Sequence, residues 1–213
     1  MNHFRQFLLD SCNFDSAHDI THTERVVRNA LMLAKEEKCD EEVVLAAAWL
    51  HDCVILPKDD PDRKKASKRA SEKATNYLES IHFNREKIPE VAHAIEAHSF
   101  SAGIKPKTIE AKIVQDADRL DALGAIGIAR CFIVGGQLNR SLYQPEDPFS
   151  ARRDPDDSEW TIDHFYTKLF KLPEQMNLES SKREALRRVD YMKNFLVRLD
   201  LEINAPKLDQ SPS

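Results

Sequence analysis

Glycine and aromatic residues are scarce in this chain of 213 residues, which has 5 glycines and 8% aromatic residues. Alanine, leucine, glutamate, lysine and arginine are frequent instead, and these residues favour helix over sheet. No segment alternates apolar and polar residues in the way that a half-buried strand does. The sequence therefore predicts an all-α fold.

Long hydrophobic runs are also missing. No apolar stretch approaches the roughly 20 residues that a helix needs to span a bilayer, and residues 1–6 lack the pattern of a signal peptide. The cysteines Cys12, Cys39, Cys53 and Cys131 form no CxxC pair, so we expect reduced thiols rather than a disulfide framework. We therefore expect a cytoplasmic protein that does not act at a membrane.

An excess of positive charge is lacking as well. The formal net charge of -5 argues against a general polyanion binder, so no nucleic acid polymer is expected as a partner. The length suffices for one domain with its own core. We expect a single domain at residues 1–203, with a core at about 18–134, a C-terminal helical elaboration at about 159–203, and a disordered tail at 204–213.

Apolar residues that recur at helical spacing predict a series of helices. These cover residues 3–12, a segment from Ser16 or Asp19 to about 37, a segment from Asp40 to His51, and then residues 67–81, 89–98, 108–134, 161–172 and 181–202, with a bend at Gly124 or Gly127. In the first of these helices Phe4, Leu8 and Leu9 are expected to face inward. Residues 135–158 contain Pro145, Pro148 and Pro155 and predict a mobile loop.

His51 and Asp52 stand together at the end of the apolar run 43–50. Most apolar helices end in glycine, lysine or a solvated polar residue, whereas these two side chains offer a metal a nitrogen and an anionic oxygen. His22 lies one turn before Val26 on the inward face of the preceding helix, and an aspartate from residues 115–121 would complete the site. Such ligands without thiolates suit a divalent ion. We predict one bound ion, Mn²⁺ in the first place, with Fe²⁺, Co²⁺, Zn²⁺, Ni²⁺ or Mg²⁺ as alternatives.

The ordered set of His22, His51-Asp52 and the run Asp116-Ala117-Asp118-Arg119-Leu120-Asp121 resembles the HD superfamily of metal-dependent phosphohydrolases. Residues 112–130 and 162–169 and the long last helix are similar to a bacterial subgroup of single-domain HD hydrolases, and the resemblance covers residues 18–203. It implies an HD-domain helical bundle with additional C-terminal helices. It also implies that metal-activated water cleaves a phosphate ester or phosphoanhydride of a nucleotide or another small phosphorylated metabolite.

Two aspartates compete for the fourth ligand position. Other HD branches, such as the hydrolases of guanosine tetraphosphate, carry an Ala-Asp-Arg-Leu run whose aspartate is the ligand, and Asp118 matches it here. Asp118 also lies one turn from Val114 on the apolar side, whereas Asp116 lies about 200° around the axis, beside polar residues. We therefore predict His22, His51, Asp52 and Asp118 as ligands, with Asp116 as the alternative. Asp116 and Asp121 otherwise act as hydrogen-bond acceptors behind the ligands or as surface partners.

The remaining assignments follow from position and charge. His98 ends a predicted helix and is expected to hydrogen bond a phosphate or bound water, and Arg119 to clamp phosphate bidentately. A basic run from Lys58 to Arg69 either meets a polyphosphate or is a solvated surface. We predict Asp52, His98 and Arg119 as catalytic residues, and Arg25, Lys65, Arg69 and Ser99 as substrate-binding residues.

Two other functions fit the same residues. A regulatory module would bind a nucleotide or a metal without turnover, and a cyclic-nucleotide phosphodiesterase would usually need two metals. The complete ligand set favours the hydrolase, for which we expect about one metal ion per chain. No motif in the sequence indicates recognition of a particular nucleobase, so base specificity is expected from the loop at 135–160. A homo-oligomer is possible.

Overall fold

The computed structural model describes residues 2–12, 19–56, 60, 62–99 and 102–204. Within these ranges the chain forms α1 (Asn2–Ser11), α2 (Ile20–Ala34), α3 (Glu41–Leu50), α4 (Ala66–Ser80), α5 (Ile88–His98), α6 (Ile109–Asp121), α7 (Gly124–Gln137), α8 (Asp163–Thr167) and α9 (Glu179–Ile203). Short 3-10 helices cover Arg63–Lys65 and Leu169–Gln175. The only β interaction among the described residues is an isolated bridge between Ser141 and Trp160. The prediction of an all-α fold is confirmed.

Three of the helices are capped at their N-terminus by a side chain that accepts hydrogen bonds from backbone amides. Asp19 accepts from His22 N at α2, Asp40 accepts from the first turn of α3, and Thr108 does the same for α6. Ser16, the alternative start of α2, lies outside the described residues. The helix predicted at 67–81 is α4, which begins one residue earlier, at Ala66, and has no side-chain cap.

The core forms where α6 packs against α2, α3 and α5. Its contact surfaces are rich in alanine, and Ala30, Ala47, Ala94 and Ala117 are completely buried, which lets the helix backbones approach closely. Helix α1 adds Phe4 and Leu8 to the core, but Leu9 is 43% exposed, contrary to the prediction. This packing brings the first turn of α2, the end of α3, the end of α5 and the last turn of α6 to one place.

Helices α6 and α7 were predicted as one bent helix but are two separate helices whose axes differ by 66°. The break at Leu123 and Gly124 uses a left-handed backbone at Gly124, with φ of 72°. Helix α7 continues through Gly135 and Gly136 to Gln137, so the irregular segment begins later than predicted. No single helix in the described ranges is long and apolar enough to cross a membrane, although α6 and α7 together meet the length and composition of a bent span.

Part of the segment 135–158, which was predicted as a mobile loop, is held by the buried carboxylate of Asp163. It accepts hydrogen bonds from Arg153 Nη1 at 2.5 Å and Nη2 at 2.7 Å, from Ser150 Oγ and from the backbone amide of Asp156. The predicted helix at 161–172 is instead α8 followed by a 3-10 helix. The predicted tail lies outside the described residues from position 205 onward.

Candidate metal centre

Three histidines from three helices meet in the core. His22 lies in the first turn of α2, His51 directly follows α3, and His98 is the last residue of α5. Their exposed fractions are 1%, 0% and 6%. The ring centroids of His22 and His51 are 5.5 Å apart, and those of His51 and His98 are 4.9 Å apart. Such a group of buried imidazoles requires partners for all its nitrogens.

One nitrogen of each imidazole is bonded to an acceptor. The Nδ1 atoms of His51 and His98 lie 2.8 Å and 2.6 Å from the carbonyls of Ala48 and Ile95. Because a carbonyl can only accept, both Nδ1 atoms carry a proton and donate it, which in the neutral imidazole leaves a lone pair on Nε2. His22 Nδ1 makes the corresponding contact with Asp121 Oδ2 at 2.7 Å. Metal-binding histidines are oriented in this way.

The carboxylates of Asp52 and Asp118 face these Nε2 atoms. Asp52 Oδ2 lies 3.8 Å from His22 Nε2 and 3.5 Å from His51 Nε2. Asp118 Oδ1 lies 3.5 Å and 4.0 Å from the same two nitrogens. Ligand atoms that surround one ion at about 2.1 Å are at most about 4.2 Å apart, so all four distances fit a shared ion. The side chains of Asp52 and Asp118 are 22% and 30% exposed, which leaves the site open on their side.

The donor set fits a divalent cation. His51 Nε2 is buried and has no hydrogen-bond partner among the described residues. A buried acceptor without a partner costs free energy, and a cation in contact with it would remove this cost. The ligand atoms of His22, His51 and Asp118 all lie within 4.8 Å of one another, as do those of His51, Asp52 and His98.

The pKa values of two of these histidines shift in opposite directions. Burial lowers the pKa of His51 and outweighs the attraction of Asp52. Burial also disfavours the charged form of His98, but its hydrogen bond to Asp52 and the charges of Asp52 and Asp118 raise its pKa overall. Asp52 Oδ1 lies 3.3 Å from His98 Nε2. The two oxygens of Asp52 therefore serve different neighbours, since Oδ2 faces His22 and His51.

Asp121 lies behind His22 and is held by two arginines. Arg25 Nε donates to Asp121 Oδ1 at 2.7 Å, and Arg130 Nη1 donates to Asp121 Oδ2 at 2.7 Å. Asp121 is 1% exposed, and burial alone would raise its pKa, but the hydrogen bonds from His22 and Arg25 and the charge of Arg130 lower it to about 2. Arg130 was missed by the sequence analysis, because α7 reaches Asp121 only through the bend after α6.

Two residues near Asp118 make contacts that the sequence analysis did not predict. Asp116, predicted otherwise as an acceptor behind the ligands or as a surface partner, is completely buried, and it accepts hydrogen bonds from the amides of Asn177 and Leu178 and from Ser181 Oγ. Arg119 donates to the carbonyl of Gln175 and lies 3.8 Å from Asp116. The predicted phosphate clamp by Arg119 stays a prediction. In this structure its guanidinium joins α6 to the segment before α9.

The four predicted substrate-binding residues have different surroundings. Ser99 directly follows His98, and Arg25 is engaged by Asp121 as described above. Lys65 Nζ and Arg69 Nη2 both pair with Asp62 at an exposed position, at 2.7 Å and 2.5 Å. Lys58 lies outside the described residues. Contact of any of these side chains with a substrate stays a prediction.

Comparison with known proteins identifies relatives over almost the whole chain. The HD domain family matches residues 19–123, which include all four proposed ligands. The Bacillus subtilis protein YpgQ, an uncharacterized protein, is 33% identical over 202 residues, which make up 93% of this chain and 89% of YpgQ. The crystal structure of YpgQ in complex with ADP is similar with a TM-score of 0.75 and 30% identity, covering 96% of this chain and 98% of that chain.

A second solved structure has a more specific name. It is an HD-superfamily hydrolase from Bacillus thuringiensis, which is 34% identical to this chain with a TM-score of 0.73. The similarity covers 96% of this chain and 95% of that chain. The shared architecture therefore extends beyond the residues that the HD domain family matches, and includes α7, α8 and α9.

Proposed function

This chain belongs to the HD superfamily of hydrolases, and we propose that it is a metal-dependent phosphohydrolase that acts on nucleotides or other small phosphorylated metabolites. The observation that carries the proposal is a set of four donor atoms, which we call the square: His22 Nε2 and His51 Nε2 each lie 3.5–4.0 Å from both Asp52 Oδ2 and Asp118 Oδ1. Such a square suits an ion with room for further ligands.

The four residues of this square would hold one divalent ion, with Mn²⁺ as the first choice. When bound, such an ion lowers the pKa of a water molecule and neutralises charge on a phosphoryl oxygen. The partial exposure of Asp52 and Asp118 gives a phosphate access to this side of the square. The buried walls formed by His22 and His51 keep bulk water away from the other side.

His98 would act on the phosphate beside the ion. Its Nδ1 proton is used by the carbonyl of Ile95, so its Nε2 faces Asp52 and the open site. Since its pKa is raised, His98 can carry a proton on Nε2 and donate it to a phosphate oxygen or a leaving oxygen. Asp52 lies beside both His98 and the ion-binding nitrogens, so its charge would favour the protonated form of His98 next to the bound phosphate.

The substrate class rests on the relative that binds a nucleotide. YpgQ was crystallised with ADP, and a nucleoside phosphate is accordingly the substrate class that we propose here. Arg25, Lys65, Arg69 and Ser99 are the candidates for contacts with its phosphates.

A two-metal phosphodiesterase is the second candidate function. It is favoured by Asp52, whose Oδ2 faces His22 and His51 while its Oδ1 lies 3.3 Å from His98 Nε2, so that this carboxylate could bridge two ions. The two candidates differ in metal content, which we expect to be about one ion per chain for the phosphohydrolase and about two for the phosphodiesterase. Elemental analysis after dialysis separates them.

The test is a panel of nucleotides with Mn²⁺, read by release of phosphate and pyrophosphate. We expect the wild type to release phosphate or pyrophosphate. His51→Ala and Asp118→Asn should lose roughly 100-fold or more of this activity and should also lose the bound metal. His93→Ala is the control, because His93 Nε2 accepts the amide of Lys107 away from the square. Tight nucleotide binding without release would instead indicate a regulatory module, and full activity in His51→Ala would contradict the proposed centre.

A further inference from the structure

A separate cavity of about 440 Å³ lies between α2, the start of α7 and α9. Asp52, Asp118 and the three histidines do not line it, so it is distinct from the open side of the metal centre. Asp121 is the wall between the two, because it lines the cavity and also contacts His22 Nδ1. The volume lies within the range of pockets that hold small molecules.

Arginines dominate the cavity. Arg25 and Arg28 come from α2, and Arg187 and Arg188 come from α9. Asp121 and Glu184 are the carboxylates of the lining, so the four guanidinium groups leave an excess of two positive charges. This excess stands out in a chain whose formal net charge is -5. Like charges repel when they are gathered in one concave surface, and an anion would relieve that repulsion.

The guanidinium groups differ in how firmly they are held. Arg188 donates to the carbonyl of Leu120 at 2.6 Å, to Asn29 Oδ1 at 3.0 Å and to Glu184 Oε1 at 2.7 Å, so its position is fixed. Arg187 shares Glu184 but is 77% exposed. Arg28 is exposed and makes no side-chain hydrogen bond or ion pair with another described residue. Arg28 and Arg187 therefore have donors to spare for a ligand.

Backbone amides at the start of α7 add to the positive potential of the cavity. Gly124, Ala125 and Ile126 line the cavity at the positive end of the helix dipole, and Leu123 provides no side-chain cap for them. Gly124 has φ of 72°, and a Cβ there would lie 3.3 Å from Arg188 Cγ. The glycine thus allows Arg188 to pack directly against the start of the helix.

We propose that this cavity binds the phosphate groups of a small phosphorylated ligand, at a site separate from the metal centre. Guanidinium groups pair bidentately with phosphate oxygens, and the amides at the start of α7 can donate hydrogen bonds to the same anion. Tyr191, which is 56% exposed, supplies a flat apolar surface at the cavity for the rest of the ligand. Binding there requires neither a metal ion nor turnover.

The experiment titrates inorganic pyrophosphate into the metal-free protein in EDTA and measures heat. We expect saturable binding at about one site per chain, and a loss of roughly tenfold or more in affinity in the double variant Arg28→Gln/Arg187→Gln. The matched control is Arg183→Gln/Arg198→Gln, which removes two arginines of α9 that pair with Glu36 and Glu202. This control should bind within about twofold of the wild type.

Three results would overturn the proposal. The first is an absence of saturable binding to the wild type. The second is an equal loss in the control, which would indicate attraction by overall charge. The third is a loss of binding in His51→Ala, which would place the pyrophosphate at the histidines. Because Arg28 and Arg187 are exposed, the double variant should fold, and its circular dichroism and melting temperature verify this.

Discussion

The orientation of the His22 imidazole depends on Asp121, which is not itself a proposed metal ligand. Asp121 Oδ2 accepts hydrogen bonds from His22 Nδ1 and from Arg130 Nη1, and Asp121 Oδ1 accepts one from Arg25 Nε. This arrangement fixes the orientation of the imidazole ring and increases the basicity of Nε2. Asp121 is thus a positioning residue, and its contribution should appear in the affinity for metal.

Asp121→Asn should weaken metal binding by roughly 10–100-fold, the range found for such supporting carboxylates. The asparagine keeps the size of the side chain but loses the charge that holds both arginines. Competition of Mn²⁺ with a chelating dye measures the affinity. Asp190→Asn, at an exposed position of α9, is the control, and equal affinities in the two variants would contradict the role of Asp121.

Cys53 and Cys131 should resist modification in the folded protein. Burial raises the pKa of both thiols to about 12, so almost none of the reactive thiolate exists at pH 9, where an exposed cysteine is largely ionised. Titration with a thiol reagent at pH 9 should leave both unmodified, whereas the unfolded chain should titrate all 4 cysteines. Mass spectrometry of the peptides identifies the sites, and rapid labelling of Cys53 would contradict this burial.

At the scale of elements, Asp116 joins α6 to α9. Its carboxylate receives the amides of Asn177 and Leu178 and the hydroxyl of Ser181, so it acts as a cap for the N-terminus of α9. A buried anion suits this position because the helix dipole and several donors converge on it. Asp116, the alternative to Asp118 as the fourth ligand, therefore stabilises the packing of α9 against α6.

Asp116→Ala should lower the free energy of unfolding by about 3 kcal/mol, since several buried donors lose their acceptor. The metal content of the folded variant should stay unchanged. Chemical denaturation and elemental analysis measure the two quantities, with Asp190→Ala as a control on α9. If Asp116→Ala lost its metal but kept its stability, Asp116 rather than Asp118 would be the fourth ligand.

Two adjacent glycines of α7 should respond oppositely to alanine. A Cβ on Gly135 would overlap the side chain of Thr161, whereas a Cβ on Gly136 would have nothing within 4 Å. Gly136→Ala should stabilise the protein by about 1 kcal/mol, because alanine favours helix, and Gly135→Ala should destabilise it by about 1–3 kcal/mol through overpacking. Thermal unfolding compares the pair, and a stabilised Gly135→Ala would contradict the close contact between α7 and Thr161.

For the whole molecule, a metal ion should stabilise the fold, because its ligands come from α2, from the residues that follow α3, and from α6. An ion at 100 times its dissociation constant contributes about 2.7 kcal/mol to the folded state, and each kcal/mol raises the melting temperature by roughly 2–4 °C at this chain length. Scanning calorimetry with Mn²⁺ and with EDTA measures the difference. His51→Ala should show no such shift, and an equal shift in this variant would locate the ion elsewhere.

Much of the site could be predicted because it depends on local rules. Asp19, Asp40 and Thr108 cap their helices through short-range hydrogen bonds, and capping residues are visible in a sequence. The 3.6-residue repeat placed Asp118 on the side of α6 that carries Val114, and this side faces the histidines. The contact between Arg119 and the carbonyl of Gln175 could not be predicted, because a neighbouring position on the helix points about 100° away, toward a segment that the sequence does not locate.

The amino-acid sequence alone determined the helices, most of their boundaries and the four residues that we propose as metal ligands, because periodicity, capping and ligand chemistry act over a few residues. Tertiary structure alone decided that Asp116 caps α9, that Arg130 supports Asp121, and that four arginines from α2 and α9 enclose one cavity. These contacts join residues far apart in the chain. Their geometry follows from the angle between α6 and α7 and from the packing of α9, which no local pattern encodes.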